Sequence, residues 1–139
     1  MTQLLIGGQA LAQLGSSRHT SDTDYLVFDE SSKKAFIHDA ANNVDYCNAN
    51  GNKFFAAVFL MENSNQTGRA SVKALIELKA YSFVQHCLNR NFKKADEAEF
   101  DIKFLTRLLG AWYPCPIAKK HMATNEYNEV IKVIRSVKF

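Results

Sequence analysis

Cysteine is sparse in this chain. Cys47, Cys87 and Cys115 are odd in number, widely spaced and form no Cys-x-x-Cys pair. That pattern excludes a disulfide framework and a cysteine zinc centre, and it predicts reduced thiols in a cytoplasmic setting. Long hydrophobic runs are missing too. None approaches the ~20 residues that span a bilayer, so no membrane partner is expected. No basic segment precedes the first apolar stretch, which stops at Gly7, so Ala10-Leu11-Ala12 reads as helix and not as a signal-cleavage site. Internal repeats and low-complexity tracts are absent. What is present suffices for one core: 47% of the 139 residues are hydrophobic, in a chain the size of a single domain.

Charge is unevenly spread. The net charge is +3, yet residues 1–68 hold four Lys/Arg against seven Asp/Glu, and residues 69–139 hold thirteen against seven. An acidic half suits a cation, and a basic half suits phosphates or nucleic acid. The basic residues are scattered rather than clustered, as on ordinary solvated helix faces.

The most informative stretch is Leu4 to Phe28, LLIGGQALAQLGSSRHTSDTDYLVF. A short apolar run, Leu4-Leu5-Ile6, has the length of a buried strand. The pair Gly7-Gly8 follows and leads into a helical pattern over Gln9 to Leu14. A polar loop, Gly15 to Ser21, then runs into a strand entered by Asp22 and Asp24. Residues two apart on a strand share a face, so these two carboxylates are expected to project together. Two close carboxylates repel unless a cation lies between them, which points to a hard divalent metal. Glycine at a strand-to-helix turn lets backbone N–H groups approach an anion. Asp-x-Asp alone also occurs in plain turns and in nucleotide-sugar glycosyltransferases, whose domains are usually longer and give Gly-Gly no role.

The ordered combination resembles the nucleotidyltransferase superfamily, with its DNA polymerase beta-like fold. It is most similar to the abortive-infection toxin-like branch, where Gly-Gly-x-Ala-Leu and Arg-x-Ser/Thr-x-Asp-x-Asp recur. Here these are Gly7-Gly8-Gln9-Ala10-Leu11 and Arg18-His19-Thr20-Ser21-Asp22-Thr23-Asp24. Glu77-Leu78-Lys79 and Asp101-Ile102-Lys103-Phe104-Leu105 extend the likeness weakly into the second half. Many members have Ser after the first glycine; Gly8 stands there in this chain, as in the toxin-like branch.

The resemblance implies an α+β fold: a small mixed β-sheet catalytic core over residues 1–68, with a helical region over 69–139 packed on it as one compact domain. It implies transfer of a nucleoside monophosphate from a nucleoside triphosphate, with Mg²⁺ or Mn²⁺, to an RNA (such as tRNA) or protein hydroxyl. Asp22, Asp24 and a third acid, Asp45, would hold metal and serve catalysis, with Asp39 as the fallback for the third. Gly7, Gly8 and Thr20 or Ser21 would position phosphates, and Arg18 would pair with a phosphate or brace the loop. Lys79 would neutralise triphosphate charge, or else belong to a surface network with Glu77 and Asp101. The acceptor stays open, as does a homo-oligomer or partner subunit that completes the site. The alternative is a catalytically inactive binding or regulatory module.

The remaining pattern sets further expectations. Lys33 to His38 and Val44 to Cys47 read as strands, with a turn over Asp39 to Asn43. Phe54 to Met61 fits a buried strand or a short helix equally well. Ala70 to Arg90 reads as a helix with Leu75, Leu78, Phe83 and Cys87 on its apolar stripe, beside Val72, Ile76, Val84 and Leu88. Ala95 to Leu109 reads as a second helix, with Phe100, Phe104, Leu105, Leu108 and Leu109 inward and Gly110 at its end. Trp112 to Pro116 is a stiff turn, and Asn125 to Val137 a last helix.

Overall fold

The computed structural model describes residues 3–18 and 20–139. His19, inside the Arg-x-Thr-x-Asp-x-Asp motif, lies outside the described residues. The class is α+β, with one mixed four-stranded sheet and six helices among the described residues. The chain divides into two compact units, Met1–Ser71 and Val72–Phe139. No helix among the described residues is long and apolar enough to cross a membrane.

The first unit contains β1 (Gln3–Ile6), α1 (Gly7–Gln13), β2 (Thr23–Val27), β3 (Phe36–Asp39), β4 (Val44–Asn48) and α2 (Lys53–Met61). Strand order is β1-β2-β4-β3, so β4 inserts between β2 and β3. It runs parallel to β2 and antiparallel to β3. The β3–β4 turn is fixed by chemistry near the strand end. The Asp39 carboxylate accepts the Asn42 backbone N–H at 3.2 Å and its side-chain amide at 2.8 Å, and these bonds hold its carboxyl below the usual range. Asp39 thus closes β3 as well as starting the turn. Beyond β1, the segment 68–70 covers the sheet edge: the Leu5 N–H donates to the Gly68 carbonyl at 2.8 Å, and the Ala70 N–H to the Leu5 carbonyl at 3.0 Å.

The ambiguous run after Asn52 is a helix, and its cap supplies a physical reason. The Asn52 side chain accepts the Phe55 N–H at 3.0 Å. Helical spacing then buries Phe54, Phe55 and Val58 together. Phe55 meets Phe36 edge-on at 5.5 Å, and Phe59 meets Phe28 at 6.3 Å.

The second unit contains α3 (Val72–Leu88), α4 (Phe92–Leu109), α5 (Pro116–Lys119) and α6 (Thr124–Arg135). Helices α3 and α4 pack against each other. The expected apolar stripes need correction here. Phe100 and Leu108 are exposed, and the buried line of α4 is Ala95, Ala98, Ile102 and Leu105. Cys87 and Leu88 are likewise exposed at the end of α3, whose buried residues include Ala74, Leu75, Ile76, Ala80 and Val84. Counting only large apolar residues misplaces the seam, because alanines supply much of it and let backbones approach closely. Gly110 ends α4 at φ +77°, in the left-handed region, as expected.

One buried side chain of α4 stands apart. The Thr106 hydroxyl is buried and unbonded among the described residues. Thr106→Val removes that atom while keeping the branched shape, and is expected to stabilise the fold by about 1 kcal/mol. Urea unfolding checks this; a lower midpoint would show that the hydroxyl has a partner.

Candidate functional site

Cross-strand register builds the site. Ile6 is opposite Asp24, Asp24 opposite Asp45, and Asp45 opposite His38. Directly opposed residues share a face, so this row crosses all four strands on one side of the sheet. The next row on that face is Leu4, Leu26, Cys47 and Phe36. Phe36 meets α2, so that helix covers the apolar end of the face. The carboxylate row lies two residues away on each strand. Asp45 and His38 remain more than half exposed, and the Asp45 Oδ1 lies 2.6 Å from the His38 Nδ1. Burial pushes the Cys47 thiol up to about 12, and the charges of Asp24 and then Asp45 add to that effect.

The glycine pair closes on the same row. Gly7 has φ +67°, and a Cβ added there would lie 2.4 Å from the Asp24 Oδ2. A Cβ on Gly8 would lie 2.1 Å from the Thr20 Cγ2. The strand-to-helix turn therefore sits directly against Asp24 and against the loop that precedes it. That loop is tied back by the Gln9 side-chain amide, which donates to the Thr20 carbonyl at 3.2 Å. Gly7 and Gly8 belong to the first turn of α1, which begins two residues before the helical pattern suggests.

Asp22 stands outside β2, which begins at Thr23. It is exposed, and its backbone N–H donates to the Thr20 hydroxyl at 3.2 Å. Strand alternation therefore does not by itself set the Asp22 side chain beside Asp24. Ser21 is exposed. Arg18 is half-buried, and its backbone N–H donates to the Ser16 hydroxyl at 3.3 Å.

In the second unit, the Lys79 ammonium lies 2.9 Å from Asp101, a carboxylate with no exposed surface. Glu77 is also fully buried. It accepts the Tyr113 hydroxyl at 2.8 Å and the backbone N–H groups of Ile117 at 3.0 Å and Ala118 at 2.8 Å. Both halves of the Glu-Leu-Lys pattern thus have structural work within the helices.

Two residues of the sheet were not singled out by sequence reasoning. His38 joins the row through the β3–β4 register, and a lone histidine at the end of a strand-like run carries no motif of its own. Asn48 is fully buried and organises the loop after β2: its carbonyl accepts the Asp29 N–H at 2.9 Å, and its amide donates to the carbonyls of Ser32 at 3.1 Å and Lys34 at 3.0 Å.

Among the described residues, no group of three His, Cys, Asp or Glu side chains is arranged to hold a metal ion. No family model, curated protein or solved structure matches the chain.

Proposed function

We propose that the Met1–Ser71 unit binds a metal-bound nucleoside triphosphate and transfers its nucleoside monophosphate to an RNA or protein hydroxyl. One observation carries this: a glycine turn with no room for a side chain closes on Asp24, which lies opposite Asp45. Asp24 and Asp45 would hold Mg²⁺ or Mn²⁺. The bound ion would supply charge neutralisation at the transferring phosphate. Gly7 and Gly8 keep that approach free of side chains, and Thr20 and Ser21 offer hydroxyls on the adjoining loop. Arg18 supplies a guanidinium to the same loop, and Asp22 an exposed carboxylate beside the strand entrance. Lys79 is left out, because Asp101 already engages its ammonium.

Calorimetric titration of the chain with ATP, GTP, CTP and UTP, each with and without Mg²⁺, tests the proposal. Wild type is expected to bind at least one triphosphate in a metal-dependent manner. Asp22→Asn and Asp24→Asn should each weaken that binding more than about tenfold, equivalent to ~1.4 kcal/mol, with the far-UV circular dichroism unchanged. Metal-dependent affinity that survives both substitutions would remove the carboxylates from the site.

A second reading, binding without transfer, draws on the engagement of Asp45 by His38. Triphosphate labelled at the α-phosphate separates the two. Label appearing on RNA or protein supports transfer; tight binding with no label supports a regulatory module.

A further inference from the structure

We infer that His38 is a positioning residue for Asp45, an inference that rests on the nucleotide site proposed above. His38 stands on the outer strand β3, directly opposite Asp45 on β4, which in turn stands opposite Asp24 on β2. Its Nδ1 engages Asp45 Oδ1 at 2.6 Å. Among the described residues no hydrogen bond reaches Asp45 Oδ2. The carboxylate is thus asymmetric: one oxygen is tied to the imidazole, and the other is left for a ligand. An aspartate held this way loses rotamer freedom before the ligand arrives, so less is lost on binding. Partners that orient a liganding carboxylate commonly tune metal affinity strongly even though they touch neither metal nor substrate.

A purely structural role makes the opposite prediction. Both side chains are more than half exposed, and exposed pairs of this kind contribute little to folding. His38→Ala should therefore leave the unfolding midpoint nearly unchanged while weakening Mg²⁺-dependent triphosphate binding by about tenfold. His38→Asn offers an amide nitrogen at the position of Nδ1 and should recover much of that loss. His38→Leu keeps bulk without a nitrogen and should not.

The experiment is calorimetric titration of wild type, Asp24→Asn and the three His38 variants with the metal–triphosphate that wild type prefers, alongside urea unfolding of each. Weak binding by His38→Ala and His38→Leu, recovery by His38→Asn and equal stabilities support the inference. If wild type and His38→Ala bind alike while Asp24→Asn does not bind, the site stands and the role of His38 is overturned. If wild type binds no triphosphate, the site itself falls, and the positioning role with it. Loss of binding in step with loss of stability also overturns it, because His38 is then a fold contact.

Discussion

Glu77→Ala is expected to cost about 3–5 kcal/mol of folding stability, the scale on which removing the shared acceptor of a buried hydrogen-bond network is felt. The reason is geometric. Helix α5 is a single turn that begins at Pro116, and its N-cap, Cys115, offers no side-chain cap bond. Its donors at Ile117 and Ala118 are satisfied by the Glu77 carboxylate, which reaches them from α3 and also accepts the Tyr113 hydroxyl. Alanine leaves three donors without their acceptor and opens a void in a site with no exposed surface. Such a loss is a large share of the ~5–15 kcal/mol that holds a typical domain together, so a gentler variant is needed as well. Glu77→Gln keeps the shape and one acceptor oxygen, but turns an NH₂ group toward a donor. It is expected to cost about 1–3 kcal/mol. Urea unfolding measures both, and hydrogen exchange at Ile117 and Ala118 reports the cap directly. Wild-type stability and unchanged exchange in Glu77→Gln would mean that the carboxylate is not what holds α5.

The same residue shows where sequence reasoning stops. Glu77 and Asp101 sit in an otherwise apolar helical pattern, and spacing along one helix gives no hint that both are fully buried. Their partners lie well away in sequence: Tyr113, Ile117 and Ala118 for Glu77, Lys79 for Asp101. The strand positions were legible because alternation and turn chemistry are local. The Gly-Gly turn and the β2 strand could be read in order along the chain, whereas Asp45 was pointed to only by the resemblance, and its place opposite Asp24 comes from the β2–β4 register. The exact β3–β4 register that sets His38 opposite Asp45 could not be read either, since strand and turn signals give a hairpin but not which residues face each other across it. Seams made of alanine were misread for a related reason: a small residue carries little hydrophobic signal, yet it sets how closely two helices meet. Asp22 marks a finer limit. A spacing of two argues for a shared face only inside a strand, and β2 begins one residue later.

Gly7→Ala should remove nucleotide binding and destabilise the first unit by about 2 kcal/mol or more. Two terms add. A non-glycine residue in the left-handed region costs ~1–2 kcal/mol, and Gly7 has φ +67°. The new Cβ would also lie 2.4 Å from the Asp24 Oδ2, so the carboxylate must leave its place. Gly110→Ala isolates the first term, since Gly110 has φ +77° and nothing within 4 Å of an added Cβ. That control is expected to lose about 1 kcal/mol and to bind nucleotide as wild type does. Combining Gly7→Ala with Asp24→Ala should recover part of the stability, because the crowded carboxylate is gone, without restoring binding. The coupling between the two substitutions measures how tightly the turn and the strand are fitted. If Gly7→Ala binds metal–triphosphate normally, the closeness of Gly7 to Asp24 is a packing detail. The carboxylates would then have to find their ligand from the side away from the glycine turn.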